Sequence, residues 1–192
     1  MRRWGREALL GLASLVLVWA LLRVLPMVAS DAVLAGSWAR AGKALTFVGG
    51  LLAVAGTLPP GRYSRATGSL VRLGGICLGV FFIIAGLQHF KYTPVVVTLI
   101  PSWIPGNATW WAWIAGVALI VGGLGLLVRR TASPAGLMTG SMLFSWFWIV
   151  HLPRTFVSVS DGVALFEALA FAGIALVVAG ALHEPGQLRP AG

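Results

Sequence analysis

The chain has 192 residues, of which 58% are hydrophobic and only 10% charged, and its mean hydropathy is +0.91. A soluble domain of this length carries about a quarter charged residues, so the missing polar surface must be replaced by lipid and a water-soluble globule is excluded. The net charge of +9 is split among short stretches between apolar runs rather than gathered in one stripe, which fits membrane topology and argues against nucleic acid as a partner.

Six apolar spans are predicted, each close to the roughly 20 residues that cross about 30 Å of hydrocarbon. They cover about 8–29, 41–58, 72–90, 109–128, 134–152 and 163–182, which makes the fold class an all-α membrane protein with six transmembrane helices. The first follows Arg2-Arg3-Trp4 and is longer than the h-region of a signal peptide, so it is expected to stay as a signal-anchor helix. The second ends at Pro59-Pro60-Gly61. The third ends in Gln88-His89-Phe90-Lys91. The stretch 91–111 is too broken to span, with Pro94, Pro101, Pro105-Gly106 and three tryptophans, and is expected to lie flat on the interface as a lid over the bundle end. The fourth span follows it, and Ser133-Pro134 opens the fifth, which closes in His151-Leu152-Pro153-Arg154; the sixth begins near Asp161 and carries Glu167 in its early turns. Cys77 is the single cysteine, which excludes an internal disulfide and a CxxC pair.

The cations orient these spans. One set of loops holds Arg2, Arg3, Arg6, Arg62, Arg65, Arg72, Arg129, Arg130 and Arg189; the other holds Arg40, Lys43, Lys91 and Arg154. The excess of nine over four places both termini in the cytoplasm by the positive-inside rule. Both histidine clusters and the lid then fall at the outer face.

The chain also repeats itself. Lys43–Leu58 aligns with Glu167–Leu182 at nine identical positions of sixteen, and Trp19 with Leu25-Pro26 matches Trp146 with Leu152-Pro153. Spans 1–2 therefore read as a parallel copy of spans 5–6. Val24 stands where His151 stands and Met27 where Arg154 stands, so the polar chemistry belongs to the second copy. Lys43 and Glu167 are repeat mates of opposite charge and are expected to form an ion pair between the two copies. Small residues four apart (Gly75 and Gly79, Gly136 and Gly140, Ala118 and Gly122) let helices approach closely, and they are assigned to packing within the chain.

A histidine at hydrocarbon depth is costly to place and marks a candidate site. His89, His151, Gln88, Arg154 and Lys91, with Trp103 and Trp148, are the candidate ligand-binding residues. An aromatic slot with one or two donors for carbonyl oxygens suits a quinone or similar polar-headed lipid. Each residue also has a structural reading: the histidines as helix caps, Arg154 as a snorkelling end residue, and Lys43–Glu167 as a purely structural pair. A b-type haem would need His89 and His151 to face each other across the core, whereas both lie at the membrane edge. No metal is expected, since a third ligand is missing and His183 lies at the opposite face. Transport would need polar groups near the midplane, where Thr46, Thr139, Ser141 and Ser145 are thin material.

At Gly86-Leu-Gln-His89-Phe90, Leu99-Ile-Pro101-x-Trp103-Ile-Pro105-Gly106 and His151-Leu-Pro-Arg154 the sequence resembles the DoxX-like family of small bacterial integral membrane proteins. The resemblance covers roughly residues 70–182, with 1–62 as an N-terminal two-helix extension. It implies a four-helix bundle with a polar pocket at one end, a place in the bacterial inner membrane, and a link to membrane redox chemistry. DoxD-type relatives are subunits of a thiosulfate:quinone oxidoreductase. A redox partner subunit is implied as well, because this chain has no second cysteine or soluble redox motif; the alternative is a non-catalytic accessory or assembly subunit.

Overall fold

The computed structural model describes residues 2–58, 67–156 and 162–183. The Pro59-Pro60-Gly61 break and Arg62, Arg65, Asp161 and Arg189 lie outside the described residues. All regular structure among the described residues is helical. Helix α1 runs Arg2–Trp19, passes through a π turn at Ala20–Val24 and finishes at Leu25–Ser30; α2 is Gly36–Thr57 and α3 is Thr67–Lys91. The short α4 is Thr93–Val97, α5 is Ala108–Leu127, and α6 runs Ala132–Trp146, a π turn at Phe147–His151 and Leu152–Thr155. Helix α7 is Gly162–His183.

Five segments are long and apolar enough to cross a membrane: Trp4–Ser30, Gly68–Lys91, Ala108–Leu127, Ala132–Thr155 and Gly162–His183. The chain is thus an all-helical, multi-pass membrane protein. Helix α2, the second expected span, has 22 residues but is not among the five, because Arg40 and Lys43 fall in its first two turns and dilute its apolarity.

Helices α3, α5, α6 and α7 form a ring in which each touches the next and α7 closes back on α3. Helix α2 lies over the α3–α7 seam, and α1 packs on α2 outside the ring. The ring interior is filled by Leu78, Phe82, Leu119, Leu126, Leu143, Phe171 and Val178, with Phe81 edge-on to Phe171 at 4.9 Å.

Backbone contact between α3 and α5 sets the bundle's width on that side. A methyl group on Gly86 would stand 2.6 Å from the Gly116 carbonyl oxygen, and one on Gly79 would stand 2.8 Å from that of Gly123. Any side chain there forces the helices apart. Gly136 and Gly140 meet α7 in the same way, and Gly122 faces Thr139 of α6, so these small residues serve packing within the chain.

Both π turns stand directly ahead of a Leu-Pro pair. Leu25 donates its N–H to the Ala20 carbonyl and Leu152 donates to that of Phe147. Proline lacks an N–H, and its ring crowds the carbonyl four residues back; a wider turn relieves that clash and inserts one residue into the helical register.

The two ends of the bundle are finished differently. At the end where α1 meets α2, Leu34 takes a left-handed conformation (φ 59°) that a non-glycine residue adopts at a cost, and side chains of α3 hold that turn. Arg72, near the other end of α3, donates to the carbonyls of Leu126 and Leu127 at the end of α5. There too Thr131 Oγ1 donates to the Gly125 carbonyl at 2.8 Å and Ser133 Oγ to that of Ala179 at 2.9 Å.

Candidate functional site

A cavity of about 800 Å³ opens at the end of the ring where α3 stops. Helix α3 contributes the stripe Phe81, Phe82, Ala85 and His89, spaced as one helical face. From α5 come Trp111, Ala112, Ala115 and Leu119; from α6 come Met142, Trp146, Ile149, Val150 and His151; from α7 come Ala164, Glu167 and Phe171. Lys43 enters from α2 at the α3–α7 seam. The wall is almost wholly apolar, and its titratable groups are His89, His151, Lys43 and Glu167.

The roof is the segment between α3 and α5, here called the lid. Val96, Leu99, Ile100, Trp103, Ile104 and Pro105 line the cavity from above. Pro94 stands in the first turn of α4, where its missing N–H costs nothing, and Thr93 Oγ1 donates to the His89 carbonyl at 2.9 Å. Gly106 has φ 93°, a left-handed value that suits glycine, and it turns the chain into α5. Asn107 Oδ1 then accepts from the Thr109 N–H at 2.8 Å and caps that helix. Trp111 Nε1 donates to the Pro105 carbonyl at 2.9 Å. Arg154 donates from Nη1 to the Thr98 carbonyl at 3.0 Å, which ties the lid to the end of α6.

His89 has a fixed orientation. Its Nδ1 lies 2.7 Å from the Ala85 carbonyl; a carbonyl only accepts, so Nδ1 carries the proton and Nε2 of the neutral ring is an acceptor. The Trp146 ring stands 6.4 Å from the imidazole, centre to centre. Gly116 lets His89 sit where it does, since a methyl group on that glycine would stand 3.0 Å from the His89 Cβ. Lys43 Nζ donates to Glu167 Oε2 at 2.6 Å, and both side chains are partly buried. A close pair of this kind presents a nearly neutral polar patch to the cavity in place of two desolvated charges.

The remaining candidates lie elsewhere. Gln88 Nε2 donates to the carbonyls of Leu34 and Ala35 at 3.2 and 3.0 Å. Lys91 Nζ donates to the Val33 carbonyl at 2.5 Å and stands over the Tyr92 ring. Both residues hold the strained α1–α2 turn and are outside the cavity wall. Trp148 is exposed and stacks edge-on with Phe144 and Phe147 on the outer surface of α6. Its neighbour Trp146, which the motif reading passed over, lines the cavity instead; its repeat mate Trp19 was the signal that marked the position. The hydroxyls of Thr46 and Ser145 bond carbonyls of their own helices and offer nothing to a solute path. No group of three or more His, Cys, Asp and Glu side chains gathers among the described residues.

No curated protein and no solved structure matches the chain. The family model of DUF8561, a domain of unknown function, matches residues 78–183, which takes in most of α3, the lid and the rest of the ring. That stretch is more than half of the 192 residues, and the chain belongs to this family.

Proposed function

We propose that the protein is a DoxX-like inner-membrane protein whose cavity binds a quinone and supports a membrane redox process, with the lid toward the outer leaflet and both termini in the cytoplasm. The observation that carries this reading is the cavity itself: about 800 Å³, apolar throughout except for two imidazoles and one internally neutralised ion pair. An uncharged, largely apolar ring with one or two polar oxygens matches that wall, whereas an ion or sugar would leave its polar groups unpaired. A bound quinone supplies two-electron, two-proton chemistry.

The chain's own residues have definite tasks in this reading. His89 Nε2 accepts from a hydroxyl when the ring is neutral and donates to a carbonyl when it is protonated, because Ala85 holds Nδ1–H in both states. His151 offers a second imidazole on the opposite wall. Trp103, Trp111 and Trp146 supply flat apolar surface. Arg154 holds the lid down through Thr98 and keeps water from the head group.

The test uses full-length protein in detergent. Trp103, Trp111 and Trp146 line the cavity, so a decyl-tailed benzoquinone should quench intrinsic tryptophan fluorescence saturably, and endogenous quinone should appear in the mass spectrum of extracted lipid. A His89→Ala/His151→Ala variant that unfolds at the wild-type temperature should bind about tenfold more weakly, the worth of roughly one hydrogen bond. Absence of both saturable quenching and co-extracted quinone would sink the reading and leave an accessory subunit with structural histidines.

A further inference from the structure

We propose that the cavity opens sideways into the bilayer between α5 and α6, beneath the lid, and that its ligand is a tailed amphiphile whose chain leaves through that gap. The inference rests on the quinone reading and adds where the ligand enters and what lies behind its head group.

Two observations locate the gap. Residues that both line the cavity and face outward mark its mouth, and they fall on three elements: Trp103 (65% exposed) and Pro105 on the lid, Trp111 (44%) and Ile114 (54%) on α5, and Ile149 (38%) on α6. The cavity residues of α3 and α7 are buried or half-buried, so neither contributes to the rim. All five rim residues are apolar or aromatic, which suits a passage to lipid rather than to water.

The second observation is helix register. Toward the far end α5 and α6 touch, with Gly122 against Thr139 and Gly125 against Ala135. Continuing that antiparallel register toward the lid would pair Ala118 with Leu143 and Ala115 with Trp146. All four line the cavity, so the helices that meet at one end face an open space at the other. Two small alanines on α5 leave room there for a chain about one methylene wide. An apolar tail in this gap trades lipid contacts for protein contacts at little cost, while the head group reaches His89 and His151.

The experiment compares a decyl-tailed benzoquinone with a tailless one, by tryptophan quenching, in wild-type protein and in Ile114→Tyr, Ile149→Tyr and Met138→Tyr. Met138 is exposed on α6 and outside the cavity wall, so it reports any general effect of an added ring. Partition of the decyl compound into micelles affects every variant alike, so the variant-to-wild-type ratio is the readout. Ile114→Tyr and Ile149→Tyr should each weaken the decyl quinone about tenfold more than they weaken the tailless ring, with Met138→Tyr altering neither. Any other pattern, such as equal losses for both compounds or no loss for either, overturns the portal while leaving head-group binding intact. Failure of the wild type to bind either compound, with no quinone co-extracted, overturns the quinone reading, and the portal falls with it.

Discussion

Helices α1–α2 and α6–α7 carry the same bend at the same place, a π turn ahead of Leu-Pro with 127 residues between the copies, and Lys43 and Glu167 join the two hairpins at matched positions. Yet Val24 is buried on the flank of α2, while its mate His151 lines the cavity. The difference comes from neighbours. Helix α1 packs against α2, outside the ring, whereas α6 is a ring member with the lid above it. One backbone design therefore serves as a buttress in the first copy and as a cavity wall in the second, and the side chain at the bend follows the surroundings.

The most severe way to break this contrast is Val24→His. It places an imidazole at a site that is closed on all sides and should cost about 2 kcal/mol or more, seen as a lowered unfolding temperature in detergent. The reverse exchange, His151→Val, should stay within about 1 kcal/mol of wild type while quinone binding falls; equal losses from both would show that the two sites are equivalent. Next in size is Glu167→Ala, which leaves the Lys43 ammonium beside the cavity without its carboxylate. Both side chains are partly exposed, so the loss should be about 1–2 kcal/mol rather than the larger figure for a fully buried pair. Lys43→Glu/Glu167→Lys should recover most of it. The smallest effect separates the two bends. Pro26→Ala and Pro153→Ala should each change stability by less than about 1 kcal/mol, but only Pro153→Ala, which releases the turn that aims His151, should weaken quinone quenching.

Much of the fold was legible because its signals are long: apolar runs of membrane length, Pro-Gly breaks, and a repeat that carries Lys43 and Glu167 to facing places. The partition of the polar cluster was not. Gln88, His89 and Lys91 are adjacent in sequence, yet a helix turns about 100° per residue. His89 therefore continues the Phe81–Phe82–Ala85 stripe into the cavity, and Gln88 and Lys91 turn to the backbone of 33–35. Which stripe faces inward depends on helix α5, brought close by Gly86 and Gly116, and no local pattern states that. The choice of Trp146 over Trp148 has a similar cause: the π turn shifts the register just past Trp146, so a uniform 3.6-residue period misassigns the aromatic residues around it.

The bonds from Arg72, Thr131 and Ser133 fasten α3, α5, α6 and α7 to one another at the end away from the lid. At the lid end, α5 and α6 line the cavity. A bundle clamped at one extremity and hollow at the other should move like a clothes peg, with the amplitude of any helix swing growing with distance from the clamp. Amide hydrogens should then exchange along a gradient, slowest near Leu126 and fastest near Trp111 and Ile149. The molecule would widen its entrance by tilting whole helices, without unfolding any of them.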